Sequence, residues 1–163
     1  MLNRLSVAIC VLAIAAGTGL SRTDEVSAAA LPSANGVVKV KSTYGFDETI
    51  TRLKADIAKK GIMFFTAIDQ ARLAGNAGIK LRPSTLLIFG NPPLGIQFLT
   101  SNPEAGLDWP VRLLVTEDAD GQVWAVYSDF GCVARRHHIK DRSAAFKMAS
   151  QVIASITSSV ASK

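Results

Sequence analysis

Apolar and polar residues alternate from Gly36 to Thr43 (GVVKVKST), with Val38 and Val40 on one side and Lys39 and Lys41 on the other. That period of two predicts a strand with one buried and one wet face. Asp47 then stands where a helix N-cap is needed, its carboxylate placed to accept the free N–H groups of a first turn. Ile50, Leu53 and Ile57 follow as one apolar stripe. Lys59 and Lys60 suit the negative end of that helix's dipole, and Gly61 suits the residue just beyond it. Ile62 to Asp69 (IMFFTAID) is a nearly unbroken apolar run and predicts a buried strand. Gln70 to Ala77 predicts one or two helical turns closed by Gly78. Ser84 to Gly90 (STLLIFG) predicts a third strand, which Asn91-Pro92-Pro93 ends because proline has no N–H for a ladder.

Pro93 suits the first turn of a short helix reaching about Thr100, and Asn102 to Pro110 reads as loop. Val111 to Thr116 and Gln122 to Ser128 flank Asp118-Ala119-Asp120-Gly121, whose Asp-Gly step marks a hairpin. From Arg142 on, Ala145, Phe146, Ala149, Val152, Ile153, Ile156 and Val160 form one helical stripe. The order β-α-β-β-β-β-α predicts a two-layer α+β fold, an antiparallel five-stranded sheet with two long helices on one face. Met63, Phe64, Phe65, Leu86, Leu87, Ile88 and Phe89 nonetheless populate both faces of two strands. Two helices cover one face only, so a homodimer is expected to cover the other. The rival cover is the segment Leu94 to Leu107 folding back over that face.

The start of the chain follows another pattern. Arg4 precedes the apolar run Leu5 to Ala16 (LSVAICVLAIAA), about a dozen residues where a membrane span needs roughly 20. Val26-Ser27-Ala28-Ala29-Ala30 places small residues where a secretory cleavage site needs them. Residues 1–30 are therefore expected to be a signal peptide and 31–163 a single α+β domain. The expected location is exported, periplasmic or secreted, with no stable membrane insertion after cleavage; an uncleaved anchor is the alternative. Cys10 does not fit a lipoprotein site, because bulky Ile9 precedes it and the apolar run continues past it.

Composition sharpens this only slightly. The 163 residues are 48% hydrophobic and 19% charged, which excludes bulk disorder. The leader carries two charges of each sign, so cleavage leaves the net charge of +5 unchanged. Cleavage also leaves Cys132 as the one thiol, so no internal disulfide is available in an oxidising compartment.

Two runs carry a family resemblance. Phe65-Thr66-Ala67-Ile68-Asp69, followed by Arg82-Pro83-Ser84-Thr85-Leu86-Leu87-Ile88-Phe89-Gly90-Asn91-Pro92, resembles the domain-of-unknown-function family 302. Trp109-Pro110-Val111 and Glu117 to Trp124 fit that family's downstream pattern. The resemblance covers about residues 36–161 and implies a fold like that of the TATA-binding protein, β-α-β(4)-α. It implies no activity. Where the family usually carries His after the Ile-Asp pair, this chain has Gln70, which puts in doubt any metal or proton-transfer role of that position here.

The candidate ligand-binding residues lie at strand ends followed by backbone breaks: Thr66, Asp69 and Gln70 at one, Phe89, Gly90, Asn91 and Pro92 at the other. Asn91 offers a donor and an acceptor, Gly90 lets a ligand approach the backbone, and Asp69 offers a charge. The structural alternative is that Asn91 and Pro92 shape a turn and Asp69 caps a helix.

Cys132 has Arg135, Arg136, His137 and His138 nearby, and positive charge favours a thiolate, but no base oriented by a third group is visible. Neighbouring histidines diverge by about 100° on a helix, so a metal site at His137-His138 is not expected, nor is a cofactor. Arg135 to Arg142 (RRHHIKDR) is a basic cluster suited to anions or to solvent. No interleaved aromatics point to nucleic acid. The favoured function is a periplasmic small-ligand-binding or accessory module without catalysis. The alternatives are a hydrolase- or redox-type enzyme using Asp69, Asn91 and Cys132, and a dimeric protein-interaction module.

Overall fold

In the computed structural model residues 32–161 are described. The expected signal peptide, residues 1–30, lies outside them. Strand β1 (Val37–Lys41) leads into helix α1 (Phe46–Lys59), then β2 (Met63–Asp69) and the short α2 (Gln70–Asn76). Strand β3 (Ser84–Gly90) follows, then α3 (Pro92–Ser101), a 3-10 turn (Pro103–Leu107), β4 (Val111–Glu117) and β5 (Val123–Ser128). The chain closes with α4 (Phe130–Arg136) and α5 (Ser143–Ser158). All neighbours in the sheet are antiparallel, in the order β1-β5-β4-β3-β2. This is the expected α+β fold with two long helices on one face; the short α2 and α3 stand where the sequence predicts them, and α4 and the 3-10 turn are additions.

Period-two patterning sorts the sheet into two faces. Thr85, a buried polar residue, faces Val115; Leu87 pairs with Leu113 and Val115 with Ala125, and these four apolar side chains are fully buried. They meet Leu53 and Ile57 of α1 and Phe146, Ala149, Ile153 and Ile156 of α5 in one core. One residue out of phase, Leu86, Ile88, Leu114 and Val126 lie on the opposite face and stay half-exposed. The segment Leu94–Leu107 does not cover them. Its α3 packs against α5, where Phe98 stacks on Phe146 with ring centroids 4.1 Å apart. The rival to the dimer expectation is corrected by that packing.

The cap of α1 is also corrected. Gly45 is the N-cap and makes no side-chain bond, while Asp47 sits inside the first turn, where its charge suits the dipole. Order at this end comes instead from a buried hydroxyl pair, Ser42 Oγ and Thr49 Oγ1 at 2.6 Å, with Tyr44 N–H donating to Ser42. Gly61, with φ +64, leaves the helix as expected. The α4 helix, which the sequence reading does not predict, buries Phe130 and Val133 and leaves Arg135 and Arg136 in its last turn. Asp129 caps it by accepting from Cys132 N–H.

Candidate functional site

Antiparallel pairing decides which candidate residues share a site. Met63 faces Gly90 and Asp69 faces Thr85, so the end of β2 lies beside the start of β3. Asp69 and Gln70 are therefore separated from Asn91 by the length of β3, about 20 Å at the usual rise per residue. The structure does not bring the two candidate groups together. Asp69 caps α2, its Oδ1 accepting from Arg72 N–H at 2.8 Å. Gln70 Oε1 accepts from Ser84 Oγ at 2.7 Å and ties α2 to the start of β3. Thr66 is exposed and lies beside Ile88, on the sheet face away from the core.

Of the second group, Phe89, Gly90 and Asn91 border a cleft, and Pro92 is not part of its lining. Phe89 and Gly90 end β3 under the helices, Asn91 forms the N-cap of α3 without a side-chain bond, and Pro92 occupies the first helical position. Around them stand Leu94, Gly95 and Phe98 of α3, Val111 of β4, Phe130 of α4, and Ala149, Val152 and Ile153 of α5. Ile62, just before β2, closes the remaining side. Asn91 is the one polar side chain in this lining. The cleft opens to solvent and is narrow, with about 30 Å³ open to a water-sized molecule.

It is narrow because Trp109 stands in it. A side chain at Gly95 would place its Cβ 1.8 Å from Trp109 Nε1 and 2.2 Å from Cε2. At Gly90 the corresponding approaches to the indole are 3.2 Å. Two glycines, one on the sheet and one on α3, thus form a seat for one indole, and Phe65 meets it edge-on at 6.4 Å. Gly90 does mark a close approach to the backbone, by the protein's own tryptophan. Trp109, Gly95, Leu94 and Val152 are site residues that the sequence reading does not identify as such. Gly95 was the legible signal, since glycine inside a helix costs about 1 kcal/mol against alanine and calls for a packing reason.

The residue before Trp109 is firmly held. Asp108 Oδ2 lies 2.7 Å from His137 Nε2, and Arg136 donates to both carboxylate oxygens at 3.0 Å. Arg112 donates to Oδ1 at 3.0 Å and to the Leu107 carbonyl at 2.6 Å. Burial disfavours the Asp108 charge, but the bond from His137 and the Arg136 and Arg112 guanidinium groups outweigh it and hold the carboxyl below its ordinary value. His137 is thereby committed, and His138 turns outward with φ 53.

Cys132 is half-buried on α4 against Gly36, and Arg135 reaches its Sγ at 2.6 Å. Asp69, at the far end of β3, cannot act with Asn91, so the three residues of the enzyme reading do not converge. Among the described residues no helix is long and apolar enough to cross a membrane.

Comparison with known proteins gives this architecture its relatives. Residues 38–159 match the domain of unknown function DUF302. The fold is similar to the crystal structure of an uncharacterized conserved DUF302 protein from Bacillus stearothermophilus, with a TM-score of 0.70. That likeness covers 77% of this chain and 98% of the other at 17% identity. Over 105 residues, 64% of its length, the chain is 38% identical to the Fluoride-specific ion channel FluC 1 of Brucella suis biovar 1 (strain 1330). The same identity holds for the FluC 1 of Brucella abortus biovar 1 (strain 9-941). The matched part is 41% and 39% of those two proteins, so the chain spans about two fifths of the curated relatives' length.

Proposed function

We propose that this chain, which belongs to the DUF302 family, works as an exported accessory module that holds a small apolar or amphipathic ligand. The observation that carries this reading is the cleft between the end of β3 and helices α3 and α5, apolar throughout except for Asn91 at its lining. Concave apolar sites with one or two placed polar groups are the usual form of small-molecule sites. The binding residues in this reading are Phe89, Gly90 and Asn91, joined by Leu94, Gly95, Trp109 and Val152, with Pro92 setting the turn into α3. Native mass spectrometry of protein purified from its own host's periplasm tests it. A bound mass that disappears in an Asn91→Ala, Leu94→Ala variant supports the reading, and a ligand-free chain from an expressing host refutes it.

Self-association belongs to the same proposal. Ile68, Leu86, Ile88, Leu114 and Val126 lie half-exposed on the sheet face opposite the helices, and closed twofold pairing is the commonest way to bury such a surface. Sedimentation equilibrium at micromolar concentration checks it. One-chain mass throughout refutes the dimer.

A second reading rests on the Brucella relatives, in which a region like this chain forms about two fifths of proteins named fluoride-specific ion channels. In that reading the module serves a membrane channel. Cross-linking in the host that recovers a channel protein supports it, and unchanged fluoride tolerance in a deletion strain opposes it.

A further inference from the structure

We infer that the Trp109 indole is a displaceable occupant of the ligand seat, and that the seat takes planar aromatic molecules of similar size. The inference rests on the cleft reading above and names its ligand class. Seat and indole fit closely: a Cβ at Gly95 would stand 1.8 Å from Nε1, and one at Gly90 would stand 3.2 Å from Nε1 and Cζ2. Both contacts are with bare backbone, which has no preference for tryptophan over another flat ring. The indole N–H donates to no acceptor among the described residues, whereas Trp124 Nε1 donates to Asp118 at 2.7 Å. Apart from the edge-on contact with Phe65, Trp109 is held by shape, and a flat ring that fits the same seat replaces it once its binding outweighs the advantage of a tethered side chain.

The backbone around Trp109 limits how it leaves. Asp108 is held by His137, Arg136 and Arg112, and Val111 is already paired with Phe89 in the sheet. Departure is therefore a rotation of one side chain rather than a loop movement. A flexible acyl chain fits such a slot less well, because its cross-section is round and its rotamers must be frozen on entry. While Trp109 occupies the seat, the affinity for a ligand falls by the fraction of molecules in which the seat is free.

Calorimetric titration of the whole chain with 2-naphthoate and with decanoate tests this. Trp109→Ala is expected to bind 2-naphthoate at least tenfold more tightly than the native chain. Adding Gly95→Leu to that variant is expected to remove the binding, and decanoate to bind at least tenfold more weakly than 2-naphthoate. A folded Trp109→Ala protein that gains no affinity overturns the displaceable occupant. Equal affinity for decanoate overturns the aromatic class and leaves the cleft reading standing. No binding of either probe to native or variant chain refutes the cleft reading itself. If Trp109→Ala does not fold, 19F resonance of a 5-fluorotryptophan-labelled Trp124→Phe chain decides. The Trp109 signal is expected to move towards that of free 5-fluorotryptophan on saturation with 2-naphthoate, and an unmoved signal at saturation overturns displacement.

Discussion

His137 Nε2 and Asp108 Oδ2 lie 2.7 Å apart, and each side chain is only 5% exposed. The pair joins the end of α4 to the loop that carries Trp109. Asn102 reinforces the same junction by donating to the His137 carbonyl at 3.0 Å.

Removing the carboxylate leaves His137 buried without its partner and two guanidinium groups facing each other. Asp108→Ala is expected to lower unfolding free energy by about 2–4 kcal/mol, the usual range for breaking a buried charge-assisted cluster. Urea denaturation of native and variant chains measures it. A loss under about 0.5 kcal/mol, the scale of an ordinary surface change, contradicts the anchoring role.

The same cluster sets a pH dependence. Its surroundings hold Asp108 below the ordinary carboxyl value of 3.8, so the unfolded state binds the proton more readily than the folded state does. The stabilisation is present above the unfolded pKa and is lost as pH falls through the lower folded one. The stability gap between native and Asp108→Ala chains is therefore expected to be constant near neutrality and to shrink below about pH 4. Thermal melts across pH 2.5 to 7 read this, and a gap that widens towards low pH contradicts it.

Which parts were legible in the sequence follows from the physics of each signal. Period-two and period-3.6 patterning extend over many residues, so Val38 and Val40, Leu53 and Ile57, and the α5 stripe declared their faces without ambiguity. The cap of α1 was misplaced because a carboxylate near a helix start scores well at any of several positions, and backbone geometry, invisible in the sequence, selects Gly45. Asp69 and Asn91 both sit after strands. That they lie at opposite ends of β3 depends on antiparallel pairing, so two true local signals produced a false joint site. Trp109 belongs to the family pattern, but its role depends on Gly95, fourteen residues earlier, and no local pattern connects the two.

Cys132 provides a test between binding module and enzyme. Its thiol is half-buried and contacts Gly36 and Arg135, and among the described residues no imidazole is hydrogen-bonded to it. Cys132→Ser is expected to leave stability within about 2 kcal/mol of native and ligand capture unchanged, the usual range for one small side chain. Thermal melts and native mass spectrometry check the two halves separately. Loss of a host-derived bound species, with the fold intact, points instead to thiol chemistry.

The last prediction concerns the sign of one substitution in two backgrounds. Gly95 lies inside α3 without a positive φ, so alanine there gains helix propensity worth about 1 kcal/mol. In the native chain that gain is opposed by an overlap with Trp109, whose Nε1 would stand 1.8 Å from the new Cβ. Overpacking of this kind typically costs about 1–3 kcal/mol, so Gly95→Ala is expected to destabilise the native chain or leave it close to even. In a Trp109→Ala background the obstacle is gone, and the same substitution is expected to stabilise by up to about 1 kcal/mol. Gly90→Ala, whose closest approach is 3.2 Å, is expected to show a smaller coupling with Trp109. Denaturant unfolding of the four-member cycle measures the coupling directly. Additivity at Gly95 within about 0.3 kcal/mol, the usual scatter for independent sites, would mean that the indole does not rest on α3 in solution.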